Sequence, residues 1–66
     1  MTPDRAKQLI HDSNQWPKFG KFDFTPTERE EIDRLWLAAS ELNGNLSRAH
    51  IVHRIARGAD PITGAD

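Results

Sequence analysis

Residues 25–44 read TPTEREEIDRLWLAASELNG, and they decide the fold because they open with the clearest helix start in the chain. Thr25 and Glu28 are spaced as a capping box, in which the hydroxyl accepts from the Glu28 N–H and the carboxylate accepts from the Thr25 N–H. Pro26 suits the first helical position, where its missing N–H costs nothing. The pattern predicts a helix that begins at Pro26.

An apolar stripe then continues along this helix. Its members recur at i, i+3, i+4, i+7 and i+10, and they are Ile32, Leu35, Trp36, Ala39 and Leu42. Asn43 and Gly44 follow as a C-cap signal. We therefore predict helix 2 over 26–42, with one face buried against the rest of the chain.

A shorter helix is expected before this one. Thr2 can cap it, with Pro3 at the first helical position. Its apolar stripe is Ala6, Leu9 and Ile10. Pro17 disfavours helical backbone at the residue before it, so the helix should stop near Ser13. We predict helix 1 over about 3–13.

A third helix is expected after Gly44. Asn45 or Ser47 can cap it, and Gly58 closes it, which predicts helix 3 over about 46–57. Its expected buried face is Ala49, Val52, Ile55 and Ala56, with Ile51 on the flank. The tail, 59–66, contains proline and glycine and is expected to be flexible.

Four of the five aromatic residues fall between the first two helices, and they are Trp16, Phe19, Phe22 and Phe24. Residues 21–25 alternate polar and apolar side chains, the period of a half-buried strand. A single strand has no partner within one chain. The rings therefore either fill the core of a helical monomer or belong to a strand that pairs with a second copy. The first reading is favoured, since only two apolar positions support the strand, and Trp16 is then expected under helix 2.

Length and composition set the class. Sixty-six residues allow one domain, expected over 1–58 with an all-α fold of three short helices and an extended aromatic segment. The chain has no cysteine, so disulfides and thiolate metal sites are excluded. No apolar run approaches the ~18 residues of a membrane span, and no signal-peptide pattern follows Met1. A cytoplasmic protein without a membrane partner is expected.

Catalysis is not expected, because three short helices leave little room for a pocket that excludes water. His50 and His53 lie at i and i+3 and can face one metal ion. The further candidate ligands, His11 and Asp60, lie on other segments, so no metal site is predicted. No glycine motif for a phosphate cofactor is present. We therefore predict a binding protein without cofactors.

The charges are unevenly distributed, although the net charge is only −1. Residues 21–43 carry three basic and six acidic groups, whereas residues 44–58 carry three arginines, two histidines and no acid. Four of these groups share the outer face of helix 3, and they are His50, His53, Arg54 and Arg57. An arginine fork suits phosphate oxygens, so this face is a candidate for DNA binding. The alternative is a helix face that is merely solvated.

Lys21-Phe22-Asp23-Phe24-Thr25, then helix 2, then Ser47-Arg48-Ala49-His50-Ile51-Val52-His53-Arg54-Ile55 resembles the element order of ribbon-helix-helix repressors. The resemblance implies an alternative fold, a homodimer whose paired strands enter the DNA major groove. Lys21, Asp23 and Thr25 would then face the bases. The amides near Ser47 would hold a phosphate. The resemblance implies a regulator of transcription.

A protein partner is the alternative to DNA. The outer face of helix 2 carries Leu37 among charged residues, which are Glu30, Arg34 and Glu41. Glu30 and Arg34 can pair at i, i+4. Leu37 could centre a contact, and Trp16 could add to it if exposed. In general character the chain is similar to small phage-encoded proteins, which implies an inhibitor or adaptor that occupies a host protein surface.

Overall fold

A computed structural model describes residues 1–66 and contains three helices and no strand, so the fold is all-α as predicted. The helices are α1 (Pro3–Ser13), α2 (Pro26–Leu42) and α3 (Arg48–Ala56). None of them has both the length and the apolar composition needed to cross a membrane. The bounds of α1 and α2 match the prediction.

The third helix is shorter than the predicted 46–57. Ser47 takes extended backbone angles and serves as the N-cap, which delays the helix start. Gly58 adopts a positive φ of 78° just after the helix, in the left-handed region that glycine tolerates, and the chain turns away there.

Helix α2 begins with the predicted capping box. The Glu28 N–H donates to the Thr25 hydroxyl at 3.2 Å, and the Thr25 N–H donates to the Glu28 carboxylate at 3.0 Å. Arg5 of α1 donates to both oxygens of the same carboxylate, at 2.8 and 3.0 Å. The arginine and the Thr25 N–H together lower the pKa of Glu28 to about 2. This carboxylate thus joins the start of α2 to α1.

Helix α3 lies at the centre of the core. It packs against both α1 and α2, whereas α1 and α2 do not pack along each other. Val52 and Ile55 are buried, as predicted. Ile51 was expected on the flank, but its side chain is fully buried. The prediction was wrong because α3 has neighbours on two sides, so two of its faces must be apolar.

The last turn of α2 extends beyond the core. Leu42 belongs to the predicted apolar stripe, yet it is 68% exposed. The α2 helix has 17 residues and α3 has nine, so α2 is longer by about 12 Å at 1.5 Å per residue. No helix is left to cover Leu42.

The aromatic segment divides into two parts. Phe22 and Phe24 stack on each other at a ring distance of 5.5 Å and pack against the core. Trp16 and Phe19 are 80% and 63% exposed, so the expectation that Trp16 packs under α2 is wrong. Both lie in a turn closed by the Gly20 N–H, which donates to the Ser13 carbonyl at 2.8 Å. That turn directs their rings away from the helices.

Arg48 ties the start of α3 to α2. Its guanidinium lies 4.7 Å above the Trp36 ring and donates to the Asp33 carboxylate. The Trp36 indole N–H donates to the Leu46 carbonyl at 2.7 Å. The hydrogen bond from Arg48 lowers the pKa of Asp33.

The C-terminal segment folds back on α3, where the sequence predicts a flexible tail. Ala59 is buried and Ile62 packs against the core. The Asp60 carboxylate accepts from the N–H groups of Ile62 and Thr63, and the Gly64 N–H donates to the Asp60 carbonyl. These turns satisfy the segment's own backbone and bring its carbonyl groups toward α3.

Candidate nucleic-acid interface

The outer face of α3 and the C-terminal segment enclose an open groove of about 350 Å³. Its lining residues are Ala49, His50, His53, Arg54, Arg57, Thr63 and Gly64. No acidic side chain is among them. We refer to this feature as the α3 groove.

The helical repeat explains why these side chains converge. His50, His53, Arg54 and Arg57 follow each other at three- and four-residue steps, so they share one face. Val52 and Ile55 take the opposite face and are buried. Burial of the apolar face therefore holds the basic one outward.

Arg54 lies at the floor of the α3 groove and is half-buried. One terminal nitrogen of its guanidinium donates to the carbonyls of Pro61 and Ile62, at 3.2 and 3.1 Å. A Cβ atom at Gly64 would come within 3.0 Å of the guanidinium carbon, so the backbone passes very close there. Its partners within the chain are carbonyl groups, and no carboxylate pairs with it.

Arg57 lies at the rim. It donates to the Gly64 carbonyl at 2.8 Å, and its Nε lies 3.4 Å from the Asp66 carboxylate. A guanidinium has five N–H donors. The C-terminal segment therefore uses only part of the hydrogen-bonding capacity of Arg54 and Arg57.

His50 has a local structural role. Its Nδ1 accepts from the Ser47 N–H at 3.1 Å and lies 2.9 Å from the Ser47 hydroxyl. The ribbon-helix-helix resemblance implies that amides near Ser47 hold a phosphate. In this structure the Ser47 amide is already bonded to the imidazole of His50.

Lys21 does not join this group. It is exposed in the segment between α1 and α2 and is not part of the α3 groove lining. Its neighbours Asp23 and Thr25 are exposed as well, while Phe22 and Phe24 face inward. This is the alternation that the sequence predicts for residues 21–25, although they form no strand here.

The predicted protein-contact residues form a second surface, on α2. Its members are all exposed, and they are Glu30, Arg34, Leu37 and Glu41. The expected pair between Glu30 and Arg34 does not form. The neighbouring Asp33 instead accepts from Arg48 and from Arg29, the latter at 3.4 Å. Trp16, the fifth predicted residue, lies apart in the turn after α1.

Ala49 was expected on the buried face of helix 3, but it is only half-buried and lines the α3 groove, so that prediction is wrong. Sequence reasoning also missed Thr63 and Gly64 as groove residues. The signal was present: Asp60-Pro61 followed by Gly64 is a turn pattern, since aspartate can accept from backbone N–H groups two residues on. It was interpreted as a mark of flexibility. The pattern does not include Arg54 of α3, whose guanidinium holds the folded segment.

No group of three or more histidine, aspartate and glutamate side chains is placed to hold a metal ion. The arrangement on α3 is suited instead to binding an anion through arginine N–H donors. No family model, curated protein or solved structure was found to match this chain, so its function has to be inferred from the residues themselves.

Proposed function

We propose that this chain is a non-catalytic DNA-binding protein that regulates transcription and contacts DNA phosphates through α3. The supporting observation is the α3 groove, which two arginines and two histidines line without an acid. Duplex DNA carries about one negative charge per 1.7 Å of its length, so a groove with a cationic lining is an electrostatic match. The one carboxylate beside it is that of Asp66, which lies 3.4 Å from Arg57 at the rim.

The free donors of the arginines would make the contact. Arg54 and Arg57 each keep N–H groups that have no partner within the chain. Arginine donors bind phosphate oxygens in a fork geometry. The histidines would contribute charge only in their protonated form. We therefore assign most of the affinity to the two arginines.

The test is fluorescence anisotropy with a labelled duplex, titrated at several salt concentrations. We expect affinity to fall linearly with salt on a logarithmic scale, because phosphate contacts release counterions. Arg57→Gln should weaken binding and reduce the magnitude of the salt slope by about one. Absence of binding at low ionic strength, up to tens of micromolar protein, would exclude this function.

Lys7→Gln is the matched control. It removes the same charge from an exposed residue of α1 that does not line the α3 groove. If DNA contacts the α3 groove specifically, the Lys7→Gln variant should keep the salt slope of the wild type. If Lys7→Gln and Arg57→Gln behave alike, the interaction depends only on overall charge and the assignment to α3 is wrong.

A protein partner is the second candidate, supported by the exposure of Leu37 and Trp16, which are 58% and 80% accessible. Large exposed side chains of this kind are frequent at interface hot spots. Affinity capture with wild type, Leu37→Asp and Trp16→Ala would test it. A single protein recovered by the wild type and lost with the variants would favour this function. Equal recovery by all three would exclude these residues as its contact.

A further inference from the structure

We propose that the exposed face of α2 is the contact surface of a symmetric homodimer, in which α2 of one copy lies antiparallel to α2 of another. The surface is a stripe at i, i+4, i+7 and i+11, made of Glu30, Arg34, Leu37 and Glu41. Leu37, at its centre, is 58% exposed. The three charged members form no ion pair within the chain.

Helix geometry makes this stripe complementary to itself. With a rise of about 1.5 Å per residue, Arg34 lies about 4.5 Å before Leu37 and Glu41 about 6 Å after it. At about 100° per residue, both lie on the same side of Leu37, within about 60° of it. Consider a two-fold axis at the level of Leu37, perpendicular to the helix axis and to the line that joins the two helices. It reverses the helix direction but leaves Arg34 and Glu41 on the same edge of the interface in both copies. It brings Arg34 to within about 1.5 Å, along the helix, of the level of the partner's Glu41.

The symmetry repeats this contact, so two opposite-charge pairs flank a central pair of leucines. On the other edge, Asp33 lies within about 1.5 Å, along the helix, of the level of the partner's Ser40, which has no charge. Asp33 is also level with the partner's Glu41, which lies on the opposite edge. Asp33 already has Arg48 and Arg29 as partners, and they offset this one approach of like charges.

A parallel arrangement loses these pairs. Its two-fold axis runs along the helices, so the partner's Glu41 moves to the other edge and lies about 10.5 Å, along the helix, from the level of Arg34. Arg34 would instead face the partner's Asp33, which already has Arg48 and Arg29 as partners. The charge order along α2 thus favours one orientation and a second copy of this chain as the occupant, as expected for an interface formed by identical patches.

The proposed contact is small, so the association should be weak. Sedimentation velocity from about 10 µM to about 1 mM covers the range in which such a small interface should associate. We expect the weight-average mass to rise from monomer toward dimer. Raising the salt concentration should shift it back, because exposed ion pairs are screened.

Charge reversal is the decisive test. Arg34→Glu and Glu41→Arg each place like charges opposite each other, so each variant alone should dimerise at least about tenfold more weakly. An equimolar mixture of the two variants should dimerise again, because every reversed charge then faces an opposite one. The double variant Arg34→Glu/Glu41→Arg should likewise dimerise by itself.

Lys7→Glu is the control, since it makes the same change in net charge as Arg34→Glu. Lys7 is exposed on α1, outside the proposed contact, so dimerisation should not weaken. Circular dichroism of each variant checks that the helices are retained. A wild type that stays monomeric overturns the proposal. So does a dimer that survives both single reversals, which would assign association to another surface such as residues 21–25.

Discussion

At the scale of single residues, Glu28 shows how one side chain can serve two elements. Its carboxylate caps α2 and also accepts from Arg5 of α1. The spacing of Thr25 and Glu28 was enough to predict the cap, because a capping box is local. The ion pair with Arg5 could not be predicted, since it depends on where α1 meets the start of α2.

We expect Glu28→Gln to lower the free energy of unfolding at pH 7 by about 1 to 2 kcal/mol, through loss of the charged cap and its partner. The pKa of Glu28 is lowered to about 2 in the folded chain, so its contribution is present at neutral pH. That contribution is lost as the pH falls from about 4.5, the ordinary value, toward 2. The difference from wild type should therefore shrink over this interval.

Urea denaturation at a series of pH values measures this effect. Glu30→Gln is the control, because Glu30 is exposed on the same helix and makes no ion pair within the chain. It should leave stability unchanged. A difference between wild type and Glu28→Gln that stays constant down to pH 2 would contradict the assignment of the shifted pKa to this carboxylate.

The predicted pair of Glu30 with Arg34 shows the limit of residue spacing. Spacing at i, i+4 allows such a pair but does not require it, because exposed pairs contribute little. Asp33 has the stronger interaction, since Arg48 is held over Trp36 and reaches it from α3. Contacts between helices therefore decided which acidic residue of α2 has an arginine partner, and local sequence does not show such contacts.

At the scale of elements, the helices were predictable and the C-terminal segment was not. Caps, proline positions and apolar stripes act within a few residues, so α1 and α2 have their predicted bounds. Residues 59–66 carry turn signals, but their placement depends on Arg54, which donates to two of their carbonyls. Arg54, which was assigned to a binding face, thus also holds the neighbouring segment. The sequence could therefore predict the part of the candidate site on α3 but not the part formed by the C-terminal segment.

We expect hydrogen exchange to distinguish a folded segment from a frayed one. The Asp60 and Gly64 N–H groups donate to the carbonyls of Ala65 and Asp60, both at 2.7 Å, so they should exchange more slowly than in an unfolded chain. Gly64→Ala should speed their exchange. A Cβ there would crowd Arg54 at 3.0 Å, and φ is +78°.

Gly20→Ala serves as the comparison variant. Gly20 has a similar φ of +74°, but a Cβ there meets nothing within 4 Å, and the residue lies in the turn before α2. Backbone strain at Gly20 should leave exchange of the C-terminal amides unchanged. Unprotected Asp60 and Gly64 amides in the wild type would show that the segment does not stay folded on α3.

At the scale of the whole molecule, α3 joins the other two helices. It is the shortest helix, yet it alone packs against both α1 and α2. The sequence predicted three helices and their apolar faces but not this arrangement. An apolar stripe shows which face of a helix is buried but not which neighbour covers it. The burial of Ile51 was missed for this reason.

We expect Val52→Asp to unfold the entire chain and not α3 alone. Val52 is fully buried, and an unpaired carboxylate there costs several kcal/mol, comparable to the stability of a domain this small. Far-UV circular dichroism should show loss of most helical signal. His53→Asp places the same charge on the exposed face of the same helix and should remain folded. A Val52→Asp chain that keeps the signal of α1 and α2 would show that these helices do not depend on α3.

The position of α3 after α1 and α2 in the sequence also affects how the chain folds during synthesis. Short helices are marginal in water without a packing partner. Until residues 48–56 have left the ribosome, Ile32 and Ala39 lack the apolar side chains of α3, which complete the core around them. The nascent chain therefore passes through an interval in which the apolar face of α2 is incompletely covered, and this interval ends when α3 emerges.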